Sequence, residues 1–92
     1  MRKAQDLSVL RAVAAEIKAR RAHLEISQEE LAHRADVHRS FVARLEVARS
    51  QPSLGVLFRL AEALEVDVGE LTKAIAQRYR KEQRKTIRAT LK

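Results

Sequence analysis

One stretch restricts the fold of this chain more than any other: Gln28-x-x-Leu31-Ala32-x-x-Ala35-x-Val37-x-x-Ser40-x-Val42-x-x-Leu45-Glu46. Its apolar residues recur at helical spacing. Ser27-Gln28-Glu29-Glu30 has the form of a capping box, in which the Ser27 hydroxyl accepts from the Glu30 amide and the Glu30 side chain reaches back. The helix that starts there is expected to stop near Ala35, with Asp36 as a turn residue that tolerates positive φ. A second short helix, about 38–47, buries Val42 and Leu45 and leaves Arg39, Ser40, Ala43 and Arg44 on its other side. Ala32 and Ala35 are small enough for the two helices to cross closely, and Val37, Val42 and Leu45 seal them to a core. This is a helix-turn-helix over 28–47, a pair that can push its second helix into a DNA major groove.

The flanks are helical as well. Asp6 or Ser8 is positioned to cap a helix carrying Leu10, Val13, Ala14, Ile17 and Leu24, after a polar lead-in from Met1 to Gln5. Pro52 ends the loop after the second short helix, and Ser53 caps a helix whose expected inner face is Leu54, Leu57, Phe58, Ala61 and Leu64. Asp67 caps a last helix with Val68, Leu71 and Ile75, and Tyr79, Ile87 and Leu91 extend that row in steps of four. Two Gly and one Pro are too few for an all-β chain rich in tight turns. The expected fold is all-α: a five-helix domain over 1–72 with a helical basic extension over 73–92.

A length of 92 residues with 46% hydrophobic content allows one small domain. Such a chain buries only about two-thirds of its unfolded surface, so dimerisation would help it. The absence of cysteine excludes disulfides and Cys-ligated zinc, and makes the reducing cytoplasm the natural setting. Neither a membrane-length apolar run nor a signal-peptide core is present, so no membrane partner is expected. The net charge of +7 is localised: residues 1–72 hold 11 Lys/Arg against 11 Asp/Glu, whereas 73–92 hold 8 against Glu82 alone. A basic block of that kind suits a polyanion.

The 28–47 pattern, followed by Pro52-Ser53-Leu54-x-x-Leu57-x-x-Leu60-Ala61-x-Ala63-Leu64-x-Val66, resembles the phage Cro/repressor-type helix-turn-helix family, also called the XRE family, over roughly residues 10–72. The resemblance implies a lambda-repressor-like globule of five helices, with the second and third as the DNA-binding unit and dimers on palindromic operators. It places Arg39, Ser40 and Arg44 at base-reading positions, where the planar fork of arginine matches guanine O6 and N7. It places Gln28, His38, Arg49, Ser50 and Gln51 against phosphates. Arg21 and Glu46 match a family ion pair that ties the first helix to the third. The family usually carries glycine where this chain has Glu25, Asp36 and the pair Val47-Ala48. One left-handed residue costs about 1–2 kcal/mol, so the fold is expected to survive these departures.

Other chemistries find little support. His23, His33 and His38 lack metal-ligand spacing, Ser27 and Ser53 serve as caps, and no nucleophilic triad or phosphate-cradling glycine pattern occurs. No enzyme, metal or cofactor is therefore expected. The leading expectation is a sequence-specific, double-stranded DNA-binding regulator, a dimeric repressor or controller that blocks or recruits polymerase. The alternative is an antitoxin whose tail wraps a toxin and which autoregulates. Dimerisation is assigned to Leu71, Ile75, Tyr79, Ile87 and Leu91, with phosphate contact by the surrounding cations as a secondary role.

Overall fold

The computed structural model describes residues 6–91; the polar lead-in Met1–Gln5 and the Lys92 charge lie outside the described residues. Five helices follow in order: α1 Leu7–Leu24, α2 Gln28–Ala35, α3 Arg39–Glu46, α4 Leu54–Ala63 and α5 Val68–Leu91. There is no strand among the described residues.

The helix starts follow the sequence closely. Asp6 accepts from the Ser8 and Val9 amides at 2.8 and 3.3 Å, Ser27 from Glu30 at 3.0 Å, and Ser53 from Val56 at 3.1 Å. Asp67 accepts from Gly69 and Glu70 at 2.8 and 3.2 Å. Each cap satisfies amides that the first turn leaves without partners. The capping box at α2 is only half made. Glu30 turns outward to take the Nε–H of Arg34, 2.9 Å away and one helical turn on.

Four helix ends use one device. Glu25, Asp36, Ala48 and Glu65 take φ of 58°, 56°, 61° and 59°, the left-handed region. Next to each, the following amide bonds back five residues: Ile26 to Arg21, Val37 to Ala32, Arg49 to Arg44 and Val66 to Ala61, at 2.9–3.3 Å. This is the Schellman closure, and Ile26, Val37 and Val66 drop their apolar side chains onto the core just beyond it. Glycine would relieve the Cβ clash at a cost in unfolded-chain entropy. Ala48→Gly and Asp36→Gly are therefore expected to be neutral or to stabilise by up to about 1 kcal/mol, with the larger gain at Ala48, since Asp already tolerates this region. A thermal melt checks this, and a clear drop in Tm for either variant contradicts it.

All five helices supply the fully buried side chains: Ile17, Leu31, Val42, Leu45, Leu60 and Leu71. Two expectations need correction here. On α4 the buried face is Leu60, Ala61, Ala63 and Leu64, whereas Leu54 and Phe58 are 69% and 50% exposed. At about 100° per residue these two lie roughly 70° and 110° round the helix from the centre of the Leu57–Leu60–Ala61–Leu64 face. On α5, Leu71 is fully buried in the chain's own core, and Ile75 packs on that core. Leu71 is thus unavailable to a partner. A row in steps of four drifts about 40° per step, so by Ile87 and Leu91 it has turned about half-way round the helix, to the exposed side.

α5 does not project freely. It runs antiparallel to α1, with Arg78 Nε donating to Glu16 Oε1 at 2.7 Å and Arg11 lying 3.9 Å from Glu82. The expected division between residues 72 and 73 falls inside this uninterrupted helix. Glu16, a buried carboxylate, also accepts from Arg20 at 2.6 Å. Burial pushes its carboxyl up, but the hydrogen bonds and charges of Arg78 and Arg20 outweigh that and hold it below the ordinary range.

Candidate nucleic-acid interface

Ala32 and Ala35 of α2 are almost fully buried against α3, as their size allows. With Val42 and Leu45 at zero exposure, α3 turns one side wholly into the core. Arg39, Ser40, Ala43, Arg44 and Val47 fall on the opposite arc, and Arg39, Ser40, Arg44 and Val47 are exposed. Ala43 sits between the two arginines, so nothing bulky blocks close approach along this face. Phe41 packs against the core. Val47 belongs to the exposed face too; its register four residues after Ala43 is the sequence signal for it.

The loop after α3 joins this face. Arg44 Nε donates to Ser50 Oγ at 3.2 Å, which fixes the near end of the guanidinium and leaves its two terminal nitrogens without a partner among the described residues. Arg49 and Gln51 are exposed beside it, and His38 is exposed at the start of α3, where it caps without a side-chain bond. The structure thus gathers Arg39, Ser40, Arg44, His38, Arg49, Ser50 and Gln51 around one short helix and its flanks.

Gln28 is placed differently from the expectation. Its side-chain amide donates to Glu46 Oε1 at 3.0 Å and is half-buried, so it is part of the internal polar cluster under the face. In that cluster Arg21 donates from Nε to Glu46 Oε2 at 2.7 Å and from Nη2 to Oε1 at 2.9 Å, and its Nη1 reaches the Ile26 carbonyl at 2.8 Å. The side chains of Arg21 and Glu46 are 18% and 2% exposed. Burial raises the Glu46 carboxyl, but the bonds from Arg21 and Gln28 and the charges of Arg21 and Lys18 prevail and hold it low. The hydrogen bond to Glu46 likewise raises Arg21. One carboxylate thus ties together the ends of α1 and α3 and the start of α2, and it sets the angle at which α3 is held out.

Two further arginines had no sequence signal. Arg59 of α4 donates to the Ala35 carbonyl at 2.9 Å, and Arg34 reaches the Ala63 carbonyl at 3.3 Å. They fasten the last turn of α2 to α4. No group of acidic, histidine or cysteine side chains that could hold a metal ion occurs among the described residues.

The helix-turn-helix family model HTH_3 matches residues 17–71. Among curated protein sequences none matches the chain significantly. The restriction-modification controller protein C.AhdI from Aeromonas hydrophila is 31% identical, covering 67% of this chain and 94% of its own, with a TM-score of 0.65. The clp gene regulator ClgR from Corynebacterium glutamicum is 22% identical over 90% of this chain and 88% of its own, with a TM-score of 0.78. The controller C.Esp1396I, in a structure bound to a 19 base pair DNA duplex, is 21% identical over 76% and 93%, with a TM-score of 0.70. The family match spans more than half of the chain, and the glycine-free turns preserve the closures the fold needs. The chain belongs to the XRE-type helix-turn-helix family.

Proposed function

We propose that this protein is a sequence-specific DNA-binding transcriptional regulator that lays α3 in the major groove and acts as a dimeric repressor or controller on a palindromic operator in the cytoplasm. The observation that carries this reading is the exposed α3 face with Arg39, Ser40 and Arg44, held at a fixed angle by the Arg21–Glu46–Gln28 cluster. Arg39 and Arg44 read base edges, Ser40 is permissive, and Ala43 and Val47 offer apolar contact to thymine methyls. His38, Arg49, Ser50 and Gln51 grip the backbone on either side, and Gln28 acts chiefly through Glu46. The DNA-bound C.Esp1396I structure supports the reading by analogy of fold.

A dimer gives the two half-site contacts that a palindrome needs. Ile87 and Leu91 are still accessible for it, and Ile75 and Tyr79 in part. Leu54 and Phe58 form a second apolar surface, one turn apart on α4. Two copies meeting through α4 bury neutral side chains, whereas Ile87 and Leu91 lie among arginines that would repel a second copy. We therefore place the two-fold contact on α4.

The test is operator binding after selection of a site from random DNA. Arg39→Ala and Arg44→Ala are each expected to cost about 1–3 kcal/mol on the selected site and much less on unrelated sequence. Equal losses on both DNAs would reduce these residues to phosphate contacts and remove the base-reading claim.

A further inference from the structure

The outward side of α5 is not used by the core, by the α3 face or by the proposed two-fold contact. Taking about 100° per residue, Lys73, Arg80, Arg84 and Arg88 fall within roughly 80° of one another, with Lys81 at the margin. The first four lie opposite Leu71, Ile75, Arg78 and Glu82, which face α1 and the core, while Lys81 borders the groove against α1. All five cations are exposed, and none forms an ion pair among the described residues. Arg78 and Lys85, by contrast, are taken up by Glu16 and Glu82. From Lys73 to Arg88 the ridge is straight and about 22 Å long at 1.5 Å per residue.

We propose that this ridge is a second, sequence-independent nucleic-acid contact, distinct from the α3 face, that binds the phosphate backbone of duplex DNA. The inference rests on the reading of the protein as a DNA-binding regulator. Rigid spacing favours it: a folded helix presents arginines about 6 Å apart along one edge without the entropy of ordering a flexible tail. Charge selects the occupant. A second copy of the chain would set ten like charges edge to edge, whereas a duplex carries a negative charge about every 1.7 Å of its axis. Such a contact adds affinity and counterion release to the complex without altering which bases are preferred.

The experiment is the salt dependence of binding to a random-sequence duplex of about 40 base pairs, for the full chain and for the triple variant Arg80→Gln/Arg84→Gln/Arg88→Gln. Glutamine keeps helix propensity, and the replaced side chains make no internal bonds, so the fold is expected to stay intact by circular dichroism. Three lost phosphate contacts should flatten the log K against log salt slope by about 2.7, so that affinity lost between 50 and 200 mM salt is about 40-fold smaller than for the unaltered chain. Arg80→Lys/Arg84→Lys/Arg88→Lys should restore the slope, as a charge effect requires. An unchanged slope in the glutamine variant overturns the proposal while leaving the base-reading function in place. That result with loss of binding to an acidic protein would give the ridge to that partner instead. Failure of the unaltered chain to bind any duplex removes both readings together, and the Arg39→Ala and Arg44→Ala variants test the first one separately.

Discussion

Replacing Glu46 with alanine is expected to lower stability by about 2–4 kcal/mol and the Tm by roughly 10–25 °C. The carboxylate accepts three hydrogen bonds, two from Arg21 and one from Gln28, in a site where its own side chain is 2% exposed. Removing it strands the Arg21 guanidinium with only the Ile26 carbonyl and leaves the Gln28 amide without its acceptor. The range lies below that of a fully enclosed pair, because Arg21 retains some access to water. For a domain of this size, with stability of order 5–10 kcal/mol, the loss is a large fraction of the total. Acid probes the same cluster. The Glu46 and Glu16 carboxyls are both held low in the fold, so their contribution is fully present above the unfolded carboxylate pKa, about 4.3. It disappears as pH falls through the lower folded values. Melts at pH 7 and pH 3 should therefore converge for Glu46→Ala relative to the unaltered chain. An unchanged Tm at pH 7 would mean that the cluster contributes no stability.

The second large effect separates the two halves of α5. A chain ending at Lys73 should lose about 3 kcal/mol or more and melt broadly, whereas one ending at Lys85 should melt within about 1 kcal/mol of the full chain. The first deletion uncovers the buried Ala12 on α1, removes Ile75 from the core, and takes Arg78 from the buried Glu16 carboxylate. Among the described residues the second removes only exposed side chains, Thr86–Leu91. Calorimetry compares the stabilities, and sedimentation of the chain ending at Lys85 decides the two-fold contact. A dimer is expected, because Leu54 and Phe58 are retained. A monomer would return the interface to Ile87 and Leu91.

The sequence was legible where a local signal has a local cause. Caps at Asp6, Ser27, Ser53 and Asp67 were readable because a side-chain oxygen three residues before an amide acts without help from the rest of the chain. The left-handed turns at Glu25 and Asp36, and one within the pair Val47-Ala48, were legible by their place in the family pattern; which of that pair takes it, and the turn at Glu65, were not, since no single glycine position drew attention to them. Helix faces were less secure. Leu54 and Phe58 match helical spacing as well as Leu60 does, and only the positions of neighbouring helices choose between them. The α5 row failed because steps of four wind round a helix. At the site, the outward set on α3 was readable from Val42 and Leu45 on its other side. The inward turn of Gln28 was not, since it depends on a carboxylate 18 residues away.

The antiparallel seam between α1 and α5 has a consequence for the order in which the protein is made. Arg78 follows Glu16 by 62 residues, and the flank of α1 beside Glu16 is closed from the far end of the chain. At about 5–20 residues per second, a ribosome releases the first helix several seconds before the segment that covers it. During that interval the helix-turn-helix is already complete in sequence, but the first helix has an open flank and a carboxylate short of one partner. The domain therefore acquires its native stability late, when α5 has emerged, and its early helices are the part most in need of protection during synthesis.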